Sequence, residues 1–225
     1  MIETKNLKKI YTTGDVETTA LDSVNLNVKE GEFAAIMGPS GCGKSTLLNI
    51  LGLIDNPTEG KYFFAGEEVS EYSERQRADL RKRNIGYVFQ SFNLIDELTV
   101  YENIELPLLY MKIKPADRRE RILEAMEQLK LAHRQGHFPK QLSGGQQQRV
   151  AVARAIVGKP KLILADEPTG NLDSSNGEEI MSLFTGLNEK GATIIIVTHS
   201  EAYAEYSQRI VHLFDGHIIA ENIAA

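Results

Sequence analysis

The segment "GPSGCGKST" at positions 38–46 constrains the fold more than any other part of the sequence. It lies between an apolar run and a segment with helical spacing, "LLNILGL". A glycine-rich loop in that position brings its backbone N–H groups together in front of a helix N-terminus, where an anion binds. Gly43, Lys44 and Ser45 match the phosphate-loop pattern G-x-x-x-x-G-K-[ST]. The segment therefore predicts a nucleotide-phosphate site on an α/β fold; the alternative is a glycine-rich turn that matches by chance.

Apolar runs separated by helical segments indicate the remaining strands of a sheet. We predict strands in "FAAIMG" (33–38), "IGYVFQ" (85–90), "LILAD" (162–166), "TIIIVTH" (193–199) and "RIVHLFDG" (209–216). Continuous apolar runs are typical of parallel strands that are covered on both faces. Near the N-terminus, "LDSVNLNVKEGE" alternates between apolar and polar residues, which indicates an antiparallel strand pair. The predicted fold class is therefore α/β, with a mainly parallel sheet and an N-terminal antiparallel part.

Residues 91–157 have a different pattern, in which apolar residues recur at helical spacing. Ile122, Met126 and Leu129 would share one helix face, and Asp117 suits the positive N-terminal end of the same helix. We expect a single domain over 1–225. Its core would occupy about 1–90 and 158–225, with a helical subdomain inserted at about 91–157.

Composition and charge exclude several classes of protein. The net charge is −6 and the pI is about 5.5, whereas proteins that bind nucleic acid usually carry a basic surface. We therefore expect no nucleic acid partner, and we interpret the basic stretch at 77–83 as a solvated helix face. The single cysteine, Cys42, excludes disulfides and cysteine-rich metal sites within the chain. Since no apolar run approaches the ~20 residues of a membrane span, we expect a soluble intracellular chain.

Polar residues at the ends of three predicted strands supply candidates for catalysis. Asp166 suits holding Mg²⁺ through a water molecule beside the Ser45 hydroxyl, and Glu167 could polarise an attacking water. Gln90 and His199 end two other strands, at the sheet edge where ligands of α/β proteins bind. Taken alone, the two acids also fit a solvated strand end, and Gln90 and His199 fit ordinary surface or packing positions.

A second candidate anion site lies at "LSGGQ", residues 142–146, which we call the signature segment. Ser143, Gly144 and Gly145 precede a helical stretch, so free N–H groups would again face an anion. The alternative is a simple loop in which Ser143 caps the helix.

These segments together resemble the ATP-binding cassette (ABC) ATPases over essentially the whole chain. "GPSGCGKST" resembles the Walker A loop, "LILADE" the Walker B strand, "LSGGQ" the family signature, and "NLD" at 171–173 the D-loop. Gln90 resembles the Q-loop glutamine, His199 the switch histidine, and Tyr11 the aromatic residue that stacks on adenine. Tyr11 also fits an aromatic residue in the core.

The resemblance implies a homodimer that closes around two ATP molecules with Mg²⁺. Its ATP-binding residues would be Tyr11, Gly38, Pro39, Ser40, Gly41, Cys42, Gly43, Lys44, Ser45 and Thr46 of one chain, with Ser143, Gly144, Gly145 and Gln146 contributed in trans. Ser45, Gln90 and Asp166 would serve Mg²⁺, and Lys44, Gln90, Glu167 and His199 would serve catalysis. Asp173 would couple the two sites.

Narrower features resemble the branch that contains lipoprotein-releasing, macrolide-export and FtsE-like ATPases. They include "ADEPTGNLD", with Gly-Asn where many relatives have Ser-Ala, and "FNLIDELTVYENIELPLL". The resemblance implies a separate transmembrane partner that docks near 92–98, where Phe92, Leu94, Ile95 and Leu98 are apolar. Each of these four could equally belong to the core. The chain would then be cytoplasmic and peripheral on the cytoplasmic face of the inner membrane.

Two other functions fit parts of the sequence. One is a soluble ABC ATPase that acts on DNA or ribosomes, and the other is a scaffolding subunit with slow hydrolysis. The chain has no room for a long coiled coil, no second cassette and no zinc cysteines, which disfavours the first. Intact Glu167 and His199 disfavour the second.

Overall fold

Strands and helices alternate through most of the computed structural model, which describes residues 1–223. The strands are β1 (Ile2–Thr13), β2 (Val16–Val28), β3 (Phe33–Met37), β4 (Glu59–Phe64), β5 (Glu67–Glu68), β6 (Ile85–Val88), β7 (Leu162–Asp166), β8 (Thr193–Val197), β9 (Arg209–Phe214) and β10 (His217–Ile223). The helices are α1 (Lys44–Leu51), α2 (Glu74–Asn84), α3 (Val100–Tyr110), α4 (Pro115–Gln128), α5 (Gly144–Ile156), α6 (Ser174–Glu189) and α7 (Glu201–Ala204). Every strand predicted from an apolar run is present.

The strands form two sheets. The larger sheet has the order β10-β9-β3-β8-β7-β6; its strands are parallel except β10, which pairs antiparallel with β9. The smaller sheet has the order β2-β1-β4-β5 and is antiparallel throughout. The α/β class with a mainly parallel sheet and an N-terminal antiparallel part is therefore confirmed.

Two apolar clusters cover the two faces of the larger sheet. Along β8, Ile194 and Ile196 enter one cluster with side chains of α3, α4, α5 and α6. Ile195 and Val197 alternate with them and enter the other cluster, with side chains of α1, β1, β2 and β4. Successive side chains of a strand point to opposite faces, so a strand covered on both sides must be apolar at every position. This requirement explains the uninterrupted apolar runs in the sequence.

Strand β1 was not predicted. It is the antiparallel partner of β2, which the alternating segment near the N-terminus does contain. Strand β1 contains Lys5, Lys8 and Lys9. Its buried residues, Ile2, Thr4 and Leu7, lie on one side of the strand only. A half-buried strand rich in lysine has little of the hydrophobic pattern on which sequence-based assignment depends.

The described elements between β6 and β7 are all helical. Thr99 caps α3 in a capping box with Glu102, and α4 starts at Pro115 with Asp117 in its first turn. The predicted apolar face of α4 is buried, with Ile122, Met126 and Leu129 each at 1% exposure or less. Division into a core and a helical subdomain at about 91–157 stays a prediction.

The basic stretch at 77–83 forms most of α2, but it is only partly a solvated face. Arg77 is buried, and its guanidinium forms an ion pair with Glu74 one turn earlier. The interpretation as a solvated face was wrong at this residue, because the arginine stem packs and one nitrogen of its head pairs with Glu74. Through residue 223, no helix has both the length and the hydropathy that crossing a bilayer requires.

The N-terminus of α5 packs closely against the N-terminus of α6. Ser143 caps α5: its hydroxyl accepts from the N–H of Gln146 at 3.3 Å, and the Gln146 side chain accepts from the N–H of Ser143 at 3.1 Å. A Cβ atom on Gly145 would lie 2.2 Å from the Asn176 side-chain oxygen. Asn176 in turn donates from its backbone and its side chain to Asp173, the cap of α6, at 2.9 and 2.7 Å. A side chain at position 145 would therefore displace Asn176, which joins the two helix caps.

We predict that Gly145→Ala destabilises the nucleotide-free protein by about 1–3 kcal/mol, because Asn176 must move and its bonds to Asp173 weaken. Gly144→Ala is the matched control, since the nearest atom to its Cβ would be 3.6 Å away. Alanine favours a helix over glycine by about 0.5–1 kcal/mol, so the control should be neutral or stabilising. Thermal denaturation measures both variants, and equal midpoints would contradict this account of the packing.

Candidate functional site

The phosphate loop lies between β3 and α1 and is pressed against β2. Gly43 has φ 103°, and a Cβ there would lie 2.4 Å from the carbonyl oxygen of Ala20. Only glycine meets both conditions. Lys44 begins α1 and donates from its ammonium to the carbonyls of Gly38 and Pro39, at 2.8 Å each. The loop therefore curls around a positive charge at a helix N-terminus, which is the arrangement that binds phosphate groups.

A cavity of about 310 Å³ opens over this loop. It is lined by Ala20, Ser40, Gly41, Gly43, Lys44, Ser45, Thr46, Gln90 and Glu167. The fold therefore brings Gln90 and Glu167 to the loop from the ends of two other strands. A larger cavity of about 480 Å³ lies at the opposite edge of the sheet, near the start of β7 and β8, and contains no part of the loop. We assign the nucleotide to the smaller cavity because the phosphate loop, Gln90 and Glu167 line it.

Asp166, the last residue of β7, contacts the phosphate loop. Its carboxylate accepts a hydrogen bond from the Ser45 hydroxyl at 3.2 Å. Burial raises the pKa of Asp166, and this rise is opposed by the Ser45 hydrogen bond. A desolvated carboxylate beside a hydroxyl is a donor set that suits Mg²⁺, which prefers oxygen ligands. Within residues 1–223, no three His, Cys, Asp or Glu side chains converge as a metal site. The chain thus offers oxygen ligands without a complete cage of its own.

Glu167 has a conformation that is unusual for a residue with a side chain. Its φ is 46°, in the left-handed region, and its N–H donates to the Val197 carbonyl at 2.9 Å. One carboxylate oxygen lies 2.9 Å from Nδ1 of His199, which donates to it. The strained backbone turns the carboxylate toward the end of β8, and such strain is concentrated at functional sites. Glu167 therefore has a fixed hydrogen-bond partner next to the phosphate loop.

The segment after Gln90 is held in place by Asn171 of the predicted D-loop and by Arg154, which the sequence did not reveal as functional. Asn171 donates to the Gln90 carbonyl at 2.9 Å. Phe92 and Asn93 both have left-handed backbones, and Arg154 of α5 donates to their carbonyls at 2.8 and 2.6 Å. Burial lowers the pKa of Arg154. One signal was available: Arg154 interrupts the otherwise apolar stretch "AVARAIV".

The four apolar residues proposed to contact a partner have different environments. Leu94 packs against the core, whereas Ile95 is exposed, and Phe92 and Leu98 are half-buried. The core alternative therefore fits Leu94 and is wrong for Ile95. Ile95 is the residue best placed to meet another chain.

Tyr11 lies on β1 with its ring 41% exposed, so the alternative of a core aromatic residue is wrong. Its hydroxyl donates to Asp55 at 2.9 Å. The pKa of Tyr11 is raised by partial burial and by the hydrogen bond and charge of Asp55, whereas the Thr46 hydroxyl acts in the opposite direction. Tyr11 is thus beside the helix that starts at the phosphate loop.

The signature segment and Asp173 are not part of the same cavity. The residues that line the cavity include none of Ser143–Gln146, all of which lie in the described part of the chain. In the single chain Ser143 and Asp173 are helix caps, so the cap that the alternative interpretation of Ser143 expects is present. The ATP-binding role in trans and the coupling role stay predictions.

Comparison with known proteins agrees with this geometry. The family model described as "ABC transporter" matches residues 21–170. An ABC transporter ATP-binding protein of Methanocaldococcus jannaschii is 52% identical over 97% of this chain and 98% of its own length. The macrolide export ATP-binding/permease protein MacB of Azoarcus is 46% identical over 98% of this chain but only 34% of its own length. The predicted macrolide-export-type branch is thereby confirmed.

Solved structures give the same result for the fold. The cassette MJ0796, described as a dimeric post-hydrolysis state bound to ADP and Pi, has a TM-score of 0.93 and 46% identity. The match covers 100% of this chain and 99% of that one. The protein cbiO1 of Clostridium perfringens, described as part of the ABC transporter complex cbiONQ, has a TM-score of 0.89 and 32% identity, over 99% of this chain and 88% of that one. The chain therefore belongs to the ABC transporter family and is one of its ATP-binding ATPase cassettes.

Proposed function

We propose that this cassette is the ATP-hydrolysing subunit of a transporter and that two copies close around two ATP molecules. The observation that carries the proposal is the separation of the two anion sites in one chain. Lys44, Gln90 and Glu167 share a cavity that the signature segment does not line. A two-fold partner can supply the missing segment to both cavities with a single self-complementary contact. The dimeric description of MJ0796 supports this arrangement.

Within each site, the chain would bind the triphosphate through its loop amides and Lys44. Ser45 and Asp166 would hold Mg²⁺, with Gln90 nearby; the ion would neutralise charge on the phosphate oxygens. The hydrogen bond of 3.2 Å keeps the Ser45 hydroxyl, which would bind the ion, beside Asp166, which would hold the ion through a water molecule. Ser40, Gly41 and Thr46 would complete the cradle, whereas Cys42 is buried and serves packing.

Glu167 would act as the base in hydrolysis. It would accept a proton from a water molecule whose oxygen attacks the γ-phosphorus, while the bond from that phosphorus to the β–γ bridging oxygen breaks and ADP leaves. The hydrogen bond from His199 keeps the Glu167 carboxylate in one orientation. The amides of Gly144 and Gly145 from the partner would contact the γ-phosphate at the start of α5. Loss of that phosphate removes the shared contact, and the two chains separate.

A transmembrane partner would dock on the segment around Phe92–Leu98. MacB relatives have both an ATP-binding and a permease part, and this chain matches 34% of their length. We propose that a separate chain supplies the permease part here and brings the cassette to the cytoplasmic face of the membrane. The exposed Ile95 would give the permease chain an apolar contact. The left-handed backbone of Phe92 and Asn93 would hold this segment in one conformation.

We predict that Glu167→Gln lowers ATP turnover by about 10²–10⁴-fold, because the base is lost while the triphosphate contacts remain. The variant should accumulate as a dimer with bound ATP, and size-exclusion chromatography with light scattering measures this. Lys44→Ala is the control that should stay monomeric. A Glu167→Gln variant that remains monomeric at saturating ATP would contradict closure around the nucleotide.

We predict that Ser143→Arg and Lys44→Ala each abolish trapping of ATP in a stable dimer. Mixing the two variants should restore trapping in one of the two sites, because the intact loop of the Ser143→Arg chain meets the intact signature of the Lys44→Ala chain. Radiolabelled ATP retained after rapid desalting measures the result. The Glu167→Gln background prevents hydrolysis during the experiment. No trapping in the mixture would show that the signature does not act in trans.

We predict opposite effects of Asp166→Asn on stability and on activity. The folded state holds a proton on Asp166 more tightly than the unfolded state, because the pKa of Asp166 is raised. The free energy of unfolding therefore falls as the pH rises through the folded-state pKa of Asp166. Asparagine carries no charge, so the variant does not lose this stability, and its side-chain oxygen can still accept the hydrogen bond from the Ser45 hydroxyl. The nucleotide-free variant should melt at a higher temperature at pH 7 but not at acidic pH. Its Mg²⁺-dependent turnover should fall by about 10–100-fold. A variant that melts lower at pH 7 would contradict the prediction.

A further inference from the structure

An ion pair ties the strand that contains Tyr11 to the loop that follows α1. The Lys9 ammonium donates to the Asp55 carboxylate at 2.7 Å and to the Asn56 carbonyl at 2.8 Å. Asp55 also donates from its own N–H to the Asn49 carbonyl of α1, at 3.2 Å. The pair is therefore anchored to the helix whose N-terminus forms the phosphate site.

Both members of this pair also contact Tyr11. The tyrosine hydroxyl donates to the second oxygen of Asp55 at 2.9 Å, and the Lys9 ammonium lies 4.8 Å from the centre of the ring. That distance is within the range of a cation–π interaction. The hydroxyl bond fixes the direction of the ring, and Lys9 covers one of its faces. Tyr11 as a whole is still 41% exposed, so Lys9 and Asp55 do not enclose it.

The pair is better shielded than the other ion pairs of the same sheet. The Lys9 and Asp55 side chains are 12% and 32% exposed, against 57% and 37% for Lys61 and Glu68. Burial alone would raise the pKa of Asp55, but hydrogen bonds from Lys9, Asn56 and Tyr11 outweigh it and lower the pKa. Asp55 therefore stays ionised and keeps both Lys9 and Tyr11 bound at neutral pH.

We infer that Lys9 and Asp55 are positioning residues for the nucleotide base: they hold Tyr11 with one face covered by the ammonium and the other free to stack on adenine. The inference rests on the proposed ATP-binding function and on the adenine-stacking role that the resemblance to ABC ATPases implies for Tyr11. A ring that is already fixed loses little conformational freedom when a base stacks on it, so the pair contributes affinity without touching the nucleotide. Because Asp55 is bound to α1, the base and the triphosphate are positioned by one rigid unit.

The test compares MgATP with tripolyphosphate, which has the phosphate groups and no base. Asp55→Asn and Lys9→Met should each weaken MgATP binding about fivefold in isothermal titration calorimetry, the loss expected for one cation–π or charged hydrogen bond. Tripolyphosphate affinity should not change, which also shows that the phosphate loop is folded. Glu68→Gln and Lys61→Met are matched controls from the exposed pair and should change neither affinity. Lys9→Arg should retain MgATP affinity within about twofold, because arginine keeps both interactions.

Tyr11→Ala separates the failure of this inference from the failure of the proposed role of Tyr11. If Tyr11→Ala leaves MgATP affinity unchanged, the tyrosine does not bind the base, and both ideas fail. If Tyr11→Ala weakens MgATP but Asp55→Asn and Lys9→Met do not, only the inference fails. In the Tyr11→Ala background, Asp55→Asn should cause no further loss, since it acts through the missing ring. An additive loss, or an equal loss for tripolyphosphate, would overturn the inference.

Discussion

The parallel pairing of β3, β8, β7 and β6 is the interaction on which the rest of the structure depends. Ile36 pairs with Val197, Val197 with Asp166, and Ala165 with Val88. Parallel strands end at the same edge, so this register delivers the phosphate loop, His199, Asp166 with Glu167, and Gln90 to one place. Apart from Asp166 at the end of β7, these strands contribute no side chain to the site; the other site residues follow the strand ends. The apolar residues of the strands bury both faces of the sheet, and the polar residues follow where the burial ends.

The sequence predicts those parts of the site whose residues interact with near neighbours along the chain, and it misses those whose contacts are distant in sequence. The phosphate loop, the five buried strands and the polar residues at their ends follow from patterns within a few residues, and the structure has all of them. The resemblance to ABC ATPases added Tyr11 and the trans role of the signature. Arg154, Lys9 and Asp55 could not be assigned, because the side-chain hydrogen bonds Lys9–Asp55, Tyr11–Asp55 and Arg154–Phe92 each span 44 residues or more along the chain. The buried position of Arg77 was missed because most residues of the stretch 74–83 are charged.

Two residues of the proposed dimer contact are also structural parts of the single chain. Ser143 and Asp173 cap neighbouring helices, and Asn176 joins the two caps by contacting Gly145 and bonding to Asp173. Their capping role therefore restricts both positions to good helix-capping residues, whether or not a partner is bound. A change at either position affects the stability of the chain as well as the contact with a partner, and measurements of turnover need to be accompanied by a melting temperature.

Arg154 has a structural consequence. It lies near the C-terminal end of α5, and Ser143 caps the N-terminal end of the same helix, which is about 20 Å long at 1.5 Å per residue. The guanidinium donates to the carbonyls of Phe92 and Asn93, so the loop after Gln90 is bonded to one end of this helix. The other end carries Ser143 and the signature segment. A single regular helix therefore spans the distance between the proposed partner contact and the proposed dimer contact.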